Sequence, residues 1–428
     1  MIDKTSNRIC YQDEDLSDDG CEVVKDDLIL NPQITHLHLN VSTNNIGQDG
    51  AEIIAEGLQA LKDLQILFFD ISHNQIGKLG AKSIAESLQD CYKLQELTLQ
   101  FQGGNRIGDI GLESLSELIR KQKCLDVVKI DLSYTNYISE IGMKSLINSL
   151  ILHQDNLREL TLHLRNNSIL DEGASYIGEQ LSAFKKLQSF SISIKDNGIK
   201  NQGYFKLIEG IQSLQPTLLD LHISATFTKP SFQTLCNTIE KLNLKKLSLD
   251  LRMSCFNYAQ LEQLSRTFQN LFGSLKQVII NLSENEFEDE GVLNLIKSLN
   301  YLNIFDIKIN QNKLTNDGIV KMLKYITLNM NSLNSLKFEA IEEKTNIQDN
   351  FDRRKIYLEK LIQLNYFCLN LSQNRLFVSH NKLKTTVLLL CHRQIIWEEY
   401  FSYEERIFSN QIWRVRRLVA FDTNKIFK

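Results

Sequence analysis

Charged and aromatic side chains recur in this sequence inside short stretches whose alternate residues are apolar. In one stretch, Ile66, Phe68 and Asp70 are separated by apolar residues. Alternate side chains of a strand leave the same face, so these three are predicted to share a surface that could bind a partner through an aromatic anchor and charge. Residues predicted on this surface in the other stretches are Glu96, Asp131, Glu159, Asp220, Asp250 and Tyr366.

The outward positions of these stretches carry more acid than base. The acidic residues there are Asp70, Glu96, Asp131, Glu159, Asp220, Asp250, Asp306 and Glu339, and the basic ones are Lys129, Lys246, Lys308 and Lys337. This balance favours a protein partner with a basic or mixed surface and argues against nucleic acid, whose phosphates need a basic face. A face that is merely solvated has the same composition, and that alternative stays open.

Two histidines and one phenylalanine have alternative interpretations. His36 and His38 are two residues apart, so both imidazoles leave one side of a strand, as a metal pair requires. No third ligand lies nearby, and an ordinary polar contact surface is favoured over a metal site. Phe68 is either an exposed anchor or a ring that packs against Ile66 or a neighbouring strand.

Enzyme signatures are absent from the sequence. It contains no Gly-x-x-x-x-Gly-Lys-[Ser/Thr] phosphate loop, no Gly-x-Ser-x-Gly elbow and no His-Glu-x-x-His metal motif. We therefore expect a protein that is not an enzyme and that carries no cofactor.

The alternating stretches belong to a repeat of about thirty residues, which indicates a solenoid. The twelve predicted repeats start at Ile34, Leu64, Leu94, Leu125, Leu157, Leu187, Leu218, Leu244, Leu275, Leu302, Leu333 and Leu364. Apolar residues three, five and seven positions after each start predict a strand of about seven or eight residues with one buried face. Glycine and an amphipathic run then predict a helix.

An asparagine follows the strand in most repeats. The predicted ladder comprises Asn44, Asn74, Asn105, Asn136, Asn167, Asn197, Asn285, Asn312 and Asn374. A buried asparagine can satisfy the backbone groups of the turn that leaves the strand, so we expect these residues to be structural.

The segments 46–51 and 76–81 both read Ile-Gly-x-x-Gly-Ala. They resemble the helix-opening signature of leucine-rich-repeat proteins of the ribonuclease-inhibitor type, and the resemblance covers residues 34–376. It implies an α/β horseshoe solenoid with parallel strands on the concave face and helices on the convex face. Asparagine falls ten or eleven residues after the repeat start instead of eight, which predicts a lengthened strand.

Three repeats depart from the pattern. In the repeat that starts at Leu218, Thr228 takes the place of asparagine and Pro230 that of the following apolar residue. Ser254 replaces asparagine in the next repeat, and residues 333–363 carry charges in the turn. Such breaks are hinges, binding insertions or tolerated drift, and the sequence leaves these alternatives open.

The flanks predict three regions. Residues 1–33 form an acidic N-terminal flank in which residues 23–30 could supply the cap, residues 34–376 form the solenoid, and residues 377–428 form a helical cap. The last region is basic and contains both tryptophans, so an interaction segment is its alternative role.

The whole pattern predicts a non-enzymatic scaffold that binds a protein through the concave strand surface. The alternatives are an activator of a small GTPase, which some proteins of the resembling type are, and a permanent structural subunit of a cytoskeletal or ciliary assembly. Eight scattered cysteines favour reduced thiols, and no apolar run approaches the length of a membrane span. A cytoplasmic protein is therefore expected, with association with the cytoskeleton as an open alternative.

Overall fold

A computed structural model describes residues 2–3, 8–134, 137–340 and 366–370. The chain divides into two compact parts, Met1–Ser254 and Cys255–Lys428, and each is described by itself. The predicted ladder residues Asn136 and Asn374, most of the third irregular repeat and the whole region 377–428 lie outside the described residues.

Strands and helices alternate along the N-terminal part. Its strands are β1 (Ile2–Asp3), β2 (Arg8–Cys10), β3 (His36–Asn40), β4 (Ile66–Asp70), β5 (Glu96–Gln100), β6 (Val127–Asp131), β7 (Glu159–His163), β8 (Ser189–Ser193), β9 (Asp220–Ser224) and β10 (Lys246–Asp250). Its helices are α1 (Cys21–Ile29), α2 (Gln48–Leu58), α3 (Gly77–Ser87), α4 (Gly108–Lys121), α5 (Glu140–Ile151), α6 (Leu170–Leu181), α7 (Asn201–Ser213) and α8 (Lys229–Ile239). Strands β2 to β10 pair in parallel in chain order, and β1 pairs antiparallel with β2.

The C-terminal part continues the same alternation. It contains α9 (Tyr258–Asn270), β11 (Gln277–Asn281), α10 (Asp289–Ser298), β12 (Ile304–Lys308), α11 (Asn316–Asn329), β13 (Ser335–Glu339) and β14 (Tyr366–Asn370). Strands β11 to β14 pair in parallel, also in chain order. Both parts thus have the α/β solenoid architecture that the repeat predicts.

Strands β3 to β13 bury alternate residues. In β4, Leu67 and Phe69 are buried, whereas Ile66, Phe68 and Asp70 are half-buried. The strands from β3 onward are five residues long, shorter than the predicted seven or eight. Pairing continues past them as backbone bonds, but a residue in the left-handed region, such as Thr43 with φ of 60°, then turns the chain out of the strand.

The asparagines lie in the turns after the strands. Asn74 Nδ2 donates to the carbonyl oxygens of Val41 in the preceding repeat and Ile71 in its own, both at 3.0 Å. Its Oδ1 accepts from the amide of Ile46 at 2.8 Å. In six other repeats the asparagine Nδ2 likewise donates to a backbone carbonyl oxygen of its own turn: Asn44, Asn105, Asn167, Asn197, Asn285 and Asn312. Each such side chain ties two consecutive turns or holds one turn closed.

Two glycines let helices α6 and α7 meet at their backbones. A Cβ added to Gly210 would lie 2.1 Å from the carbonyl oxygen of Gly178, and one added to Gly178 would lie 2.2 Å from that of Lys206. No side chain fits between these helices at this level.

The N-terminal flank contains more than the predicted capping segment. Helix α1 covers most of the expected 23–30 segment, but β2 also adds a parallel strand, with Arg8 in register with His38. Asn44 Oδ1 accepts from the amides of Glu14 and Leu16, at 2.9 and 3.1 Å. The flank therefore has the layout of a further repeat stacked on the first predicted one.

In the repeat that starts at Leu218, the structure corrects the position that the sequence pattern assigns to Thr228. Thr228 is the N-cap of α8 and forms a capping box with Ser231, and Pro230 lies in the first helical turn. The buried residue directly before the N-cap is Phe227. Thr228 therefore does not hold the asparagine position, because the turn of this repeat is shorter than that of its neighbours.

Candidate functional site

The outward strand positions, two, four and six residues after each repeat start, form what we call the open face of the sheet. In the N-terminal part, Ile66, Phe68 and Asp70 lie on β4 and Glu96 lies on β5. The remaining predicted acids lie on β6, β7, β9 and β10: Asp131, Glu159, Asp220 and Asp250. Strand register arranges these residues in three rows, at two, four and six positions after the repeat starts.

The first row of the N-terminal part contains the residues two positions after each start. It brings together Ile66, Glu96, Val127, Glu159, Ser189, Asp220 and Lys246 on successive strands. Glu159 forms an ion pair with Lys129, 2.8 Å apart. Within the described residues, the side chains of Glu96 and Asp220 form no ion pair or hydrogen bond. These two carboxylates are the ones most able to meet a basic partner.

The third row, six positions after each start, has a structural role. Asp70 Oδ1 accepts from the Ser72 amide at 2.9 Å, and Asp131 Oδ1 accepts from the Ser133 amide at 2.9 Å. Carboxylates that bond the backbone two residues on stabilise the turn that follows. The predicted contact residues Asp70 and Asp131 therefore also hold their own strand ends.

Phe68 stacks on the neighbouring strand. Its ring lies 4.1 Å from that of His38, with 12° between the planes. Burial, and next the Arg8 charge, lower the pKa of His38 from its ordinary value. His36 Nδ1 instead lies 2.8 Å from the hydroxyl of Thr35. Of the two roles considered for Phe68, the contact across the strands is observed, and the half-buried ring still borders the open face.

Strand β8 presents only small side chains on the open face, because its outward residues are Ser189, Ser191 and Ser193. We call these three residues the serine floor. The rings of His163 on β7 and His222 on β9 lie 6.4 Å apart, centroid to centroid. Strands two apart are separated by about 10 Å, so these rings lean toward each other over the serines. The floor is lined by hydroxyls and imidazoles.

His222 is held as a neutral ring. Its Nδ1 lies 2.6 Å from Ser248 Oγ. Burial, and next the charge of His163, lower the pKa of His222 to about 4. At neutral pH the His222 ring is therefore polar and uncharged.

A buried ion pair borders this floor. Lys195, in the turn after β8, has only 4% of its side chain exposed, and its Nζ donates to Asp250 Oδ1 at 2.9 Å and to the Arg252 carbonyl at 3.2 Å. Burial lowers the pKa of Lys195, and the bond to Asp250 opposes that effect only in part. Burial alone would raise the pKa of Asp250, but the bond from Lys195 and its charge bring it below the ordinary value.

The C-terminal part has its own open face on β11 to β13. Lys308 and Glu339 form an ion pair of 3.7 Å there, and burial raises the pKa of Asp306. Tyr366 lies on β14 in register with Ser335, and its side chain is outside the described residues.

The described residues contain no group of three or more His, Cys, Asp or Glu side chains that could hold a metal ion. A depression of about 420 Å³ lies beside Asp13, Asp15, Asn45 and His73 in the N-terminal part. Within the described ranges, no helix has the length and apolar character needed to cross a membrane.

Sequence reasoning missed Lys195, the serine floor and strand β2. Gly20 precedes Gly50 by the same thirty residues that separate Gly50 from Gly80, and this interval was the signal for a repeat in the flank. Ser189, Ser191 and Ser193 alternate with apolar residues, so their outward direction was readable. The pairing of Lys195 with Asp250 could not be read from the sequence, because Asp250 lies on a strand two repeats away.

Comparison with known proteins gives one family match and distant structural likeness. The family model described as Leucine Rich repeat matches residues 33–55 and 66–85. No curated protein matches the chain. A solved octameric complex of Latrophilin 3 (Lec, Olf), Unc5D (Ig, Ig2, TSP1) and FLRT2 (LRR) contains a similar chain, with 16% identity, 71% of this chain and 87% of that chain covered, and a TM-score of 0.29.

Proposed function

We propose that this chain is a non-enzymatic scaffold, a leucine-rich-repeat protein of the ribonuclease-inhibitor type, and that it binds a protein partner through the open face of its N-terminal part. Leucine-rich-repeat domains generally mediate protein–protein interaction, and a regular sheet of this kind offers a broad surface rather than a deep pocket.

The observation that carries the proposal is the first row of the open face. Ile66 supplies a half-buried apolar side chain, next to Glu96, whose carboxylate has no side-chain partner within the described residues. Asp220 has an equally unpaired carboxylate farther along the same row. An interface with an apolar anchor and unpaired acids fits a protein surface that carries lysine and arginine around an apolar centre.

Cytoplasmic placement belongs to the same proposal. Five of the cysteines that the structure describes are free thiols: Cys10, Cys21, Cys91, Cys124 and Cys255. Unpaired cysteines at this number are the usual state in a reducing compartment.

The experiment is charge reversal at the two unpaired acids. Glu96→Lys/Asp220→Lys should reduce capture of the native partner from cell extract by about tenfold or more, measured by quantitative mass spectrometry. The matched control is Asp155→Lys/Glu179→Lys, which makes the same charge change at exposed positions outside the open face. Equal capture by both double variants, with unchanged melting temperatures, would refute the open-face proposal.

A further inference from the structure

Three consecutive repeats expose an aliphatic side chain at the same position. Leu79, Ile110 and Ile141 each directly precede the glycine in the first turn of α3, α4 and α5, and their exposed fractions are 44%, 54% and 66%. These helices are successive neighbours in the stack, so the three side chains form one row, which we call the aliphatic row. Apolar side chains that are exposed together generally mark an interaction site.

Other repeats show that the fold does not require apolar residues there. The residue that precedes the equivalent glycine elsewhere in the N-terminal part is polar: Asp19, Asp49, Glu172 and Gln202. The helices at these polar positions, α1, α2, α6 and α7, occupy the same place in their repeats. The aliphatic row is therefore a local property of three repeats and is not needed to start a helix. Tyr137, 64% exposed, lies four residues before Ile141.

The spacing of the row matches an α-helix laid across it. Packed helices lie about 8–10 Å apart, so successive members of the row are separated by about that distance. Residues seven apart on an α-helix recur on one face every ~10.5 Å. A helix with aliphatic residues at heptad spacing can contact all three members of the row.

The charged residues around the aliphatic row indicate which kind of helix it would bind. The row ends at acidic residues on both sides, Asp49 before Leu79 and Glu172 after Ile141, and both are exposed and form no side-chain hydrogen bond or ion pair within the described residues. One helical turn farther on, the exposed residues alternate in sign: Glu52, Lys82, Glu113 and Lys144. The ends of the row thus attract cations, whereas its flank is balanced.

We propose that the aliphatic row is a docking surface for an amphipathic α-helix of a partner protein, with aliphatic residues at heptad spacing and lysine or arginine at both ends. This surface lies at the start of the helices and is separate from the open face, so the proposal does not depend on the function proposed above.

The test uses three fluorescent peptides of about 21 residues, whose binding to the full chain is followed by anisotropy. The first has leucines at heptad spacing and lysines at both ends, the second has the same composition with leucines spread around the helix, and the third has glutamates at the ends. We expect the first peptide to bind about tenfold more tightly than either of the others.

The triple substitution Leu79→Glu/Ile110→Glu/Ile141→Glu should weaken binding of the first peptide by about tenfold or more, because it replaces the three apolar side chains of the row with carboxylates like those of Asp49 and Glu172. Leu152→Glu, at a 62%-exposed position at the other end of α5, should change affinity less than about twofold. Circular dichroism checks that both variants fold. Equal affinity for the first two peptides, binding that survives the triple substitution, or no binding of the first peptide overturns the proposal. A dimer of the free protein that the triple substitution dissociates would assign the row to self-association and also overturn it.

Discussion

Lys195 Nζ and Asp250 Oδ1 lie 2.9 Å apart although β9 lies between β8, which Lys195 follows, and β10, which carries Asp250. The repeat between them is the one with the shortened turn, where Phe227 directly precedes the N-cap of α8. Lys195 Nζ also donates to the Arg252 carbonyl, so this side chain bonds directly to the repeat that lies two further along the chain.

Removal of the lysine should be destabilising. Lys195→Met leaves the largely buried Asp250 without its cation, although Ser224 Oγ and the Arg252 amide still donate to it, and we expect the free energy of unfolding to fall by about 1–3 kcal/mol, measured by urea denaturation. Lys195→Met/Asp250→Leu should recover much of that loss because it leaves no unpaired charge. Lys186→Met is the control at an exposed lysine directly before the repeat of Lys195. A Lys195→Met midpoint equal to that of the control would contradict the role given to this pair.

His222 should make stability depend on pH on the acidic side of neutrality. The unfolded chain protonates this histidine near pH 6.5, whereas in the folded protein its pKa is about 4, chiefly because of burial. The unfolded state therefore binds the extra proton first, and the protein should lose about 2 kcal/mol as pH falls from 6.5 toward 4.

Melting temperatures of the wild type and His222→Gln between pH 7 and pH 4.5 test this. The variant should show a smaller decline than the wild type over that range, and His36→Gln, at an exposed ring, should behave as the wild type does. Parallel curves for His222→Gln and wild type would show that His222 does not titrate as proposed.

The glycine contact between α6 and α7 predicts an inverted effect of alanine. Alanine for glycine inside a helix ordinarily stabilises it by about 1 kcal/mol. At Gly210 the added methyl group would lie 2.1 Å from the carbonyl oxygen of Gly178, so the helices must separate. We expect Gly210→Ala to destabilise the protein by about 1–3 kcal/mol in chemical denaturation. Ser175→Ala, on the same pair of helices, should change stability little, and a stabilising Gly210→Ala would contradict the close contact.

The asparagine turn predicts a large effect for a small truncation. Asn74→Ala removes three bonds to carbonyl oxygens and leaves the buried amides of Asn44 and Ile46 without this acceptor. We expect a loss of about 2–4 kcal/mol, since several buried polar groups lose their partners together. Gln75→Ala, at the exposed neighbouring residue, should lose less than about 1 kcal/mol. Similar urea midpoints for the two variants would mean that the ladder bonds contribute little.

Repeat periodicity predicted most of the fold because alternation and helix spacing are local properties. The burial of Leu67 and Phe69 and the outward direction of Ile66 follow from a period of two. Strand length was overestimated because the apolar residue Val41 continues the alternation, although the chain already turns at Thr43. Alternation reports which side chains are buried and does not mark where the backbone leaves the strand.

The site was predictable in position and less so in chemistry. The sequence placed Asp131 and Glu159 on the open face, but Asp131 bonds the Ser133 amide and Glu159 pairs with Lys129. Those contacts depend on side-chain conformation and on the register of neighbouring strands, which the order of residues does not state. The most available acids, Glu96 and Asp220, emerge only once these partners are known.

The most direct test of the central claim is site-specific photo-crosslinking in cells. A benzoyl-phenylalanine at Thr98, in the middle of the open face on β5, should crosslink a discrete protein partner, whereas the same probe at Glu179 on helix α6 should not. Glu96→Lys/Asp220→Lys should abolish the Thr98 crosslink. Crosslinks of equal intensity from Glu179, or a Thr98 crosslink that survives the charge reversal, would contradict binding through the open face.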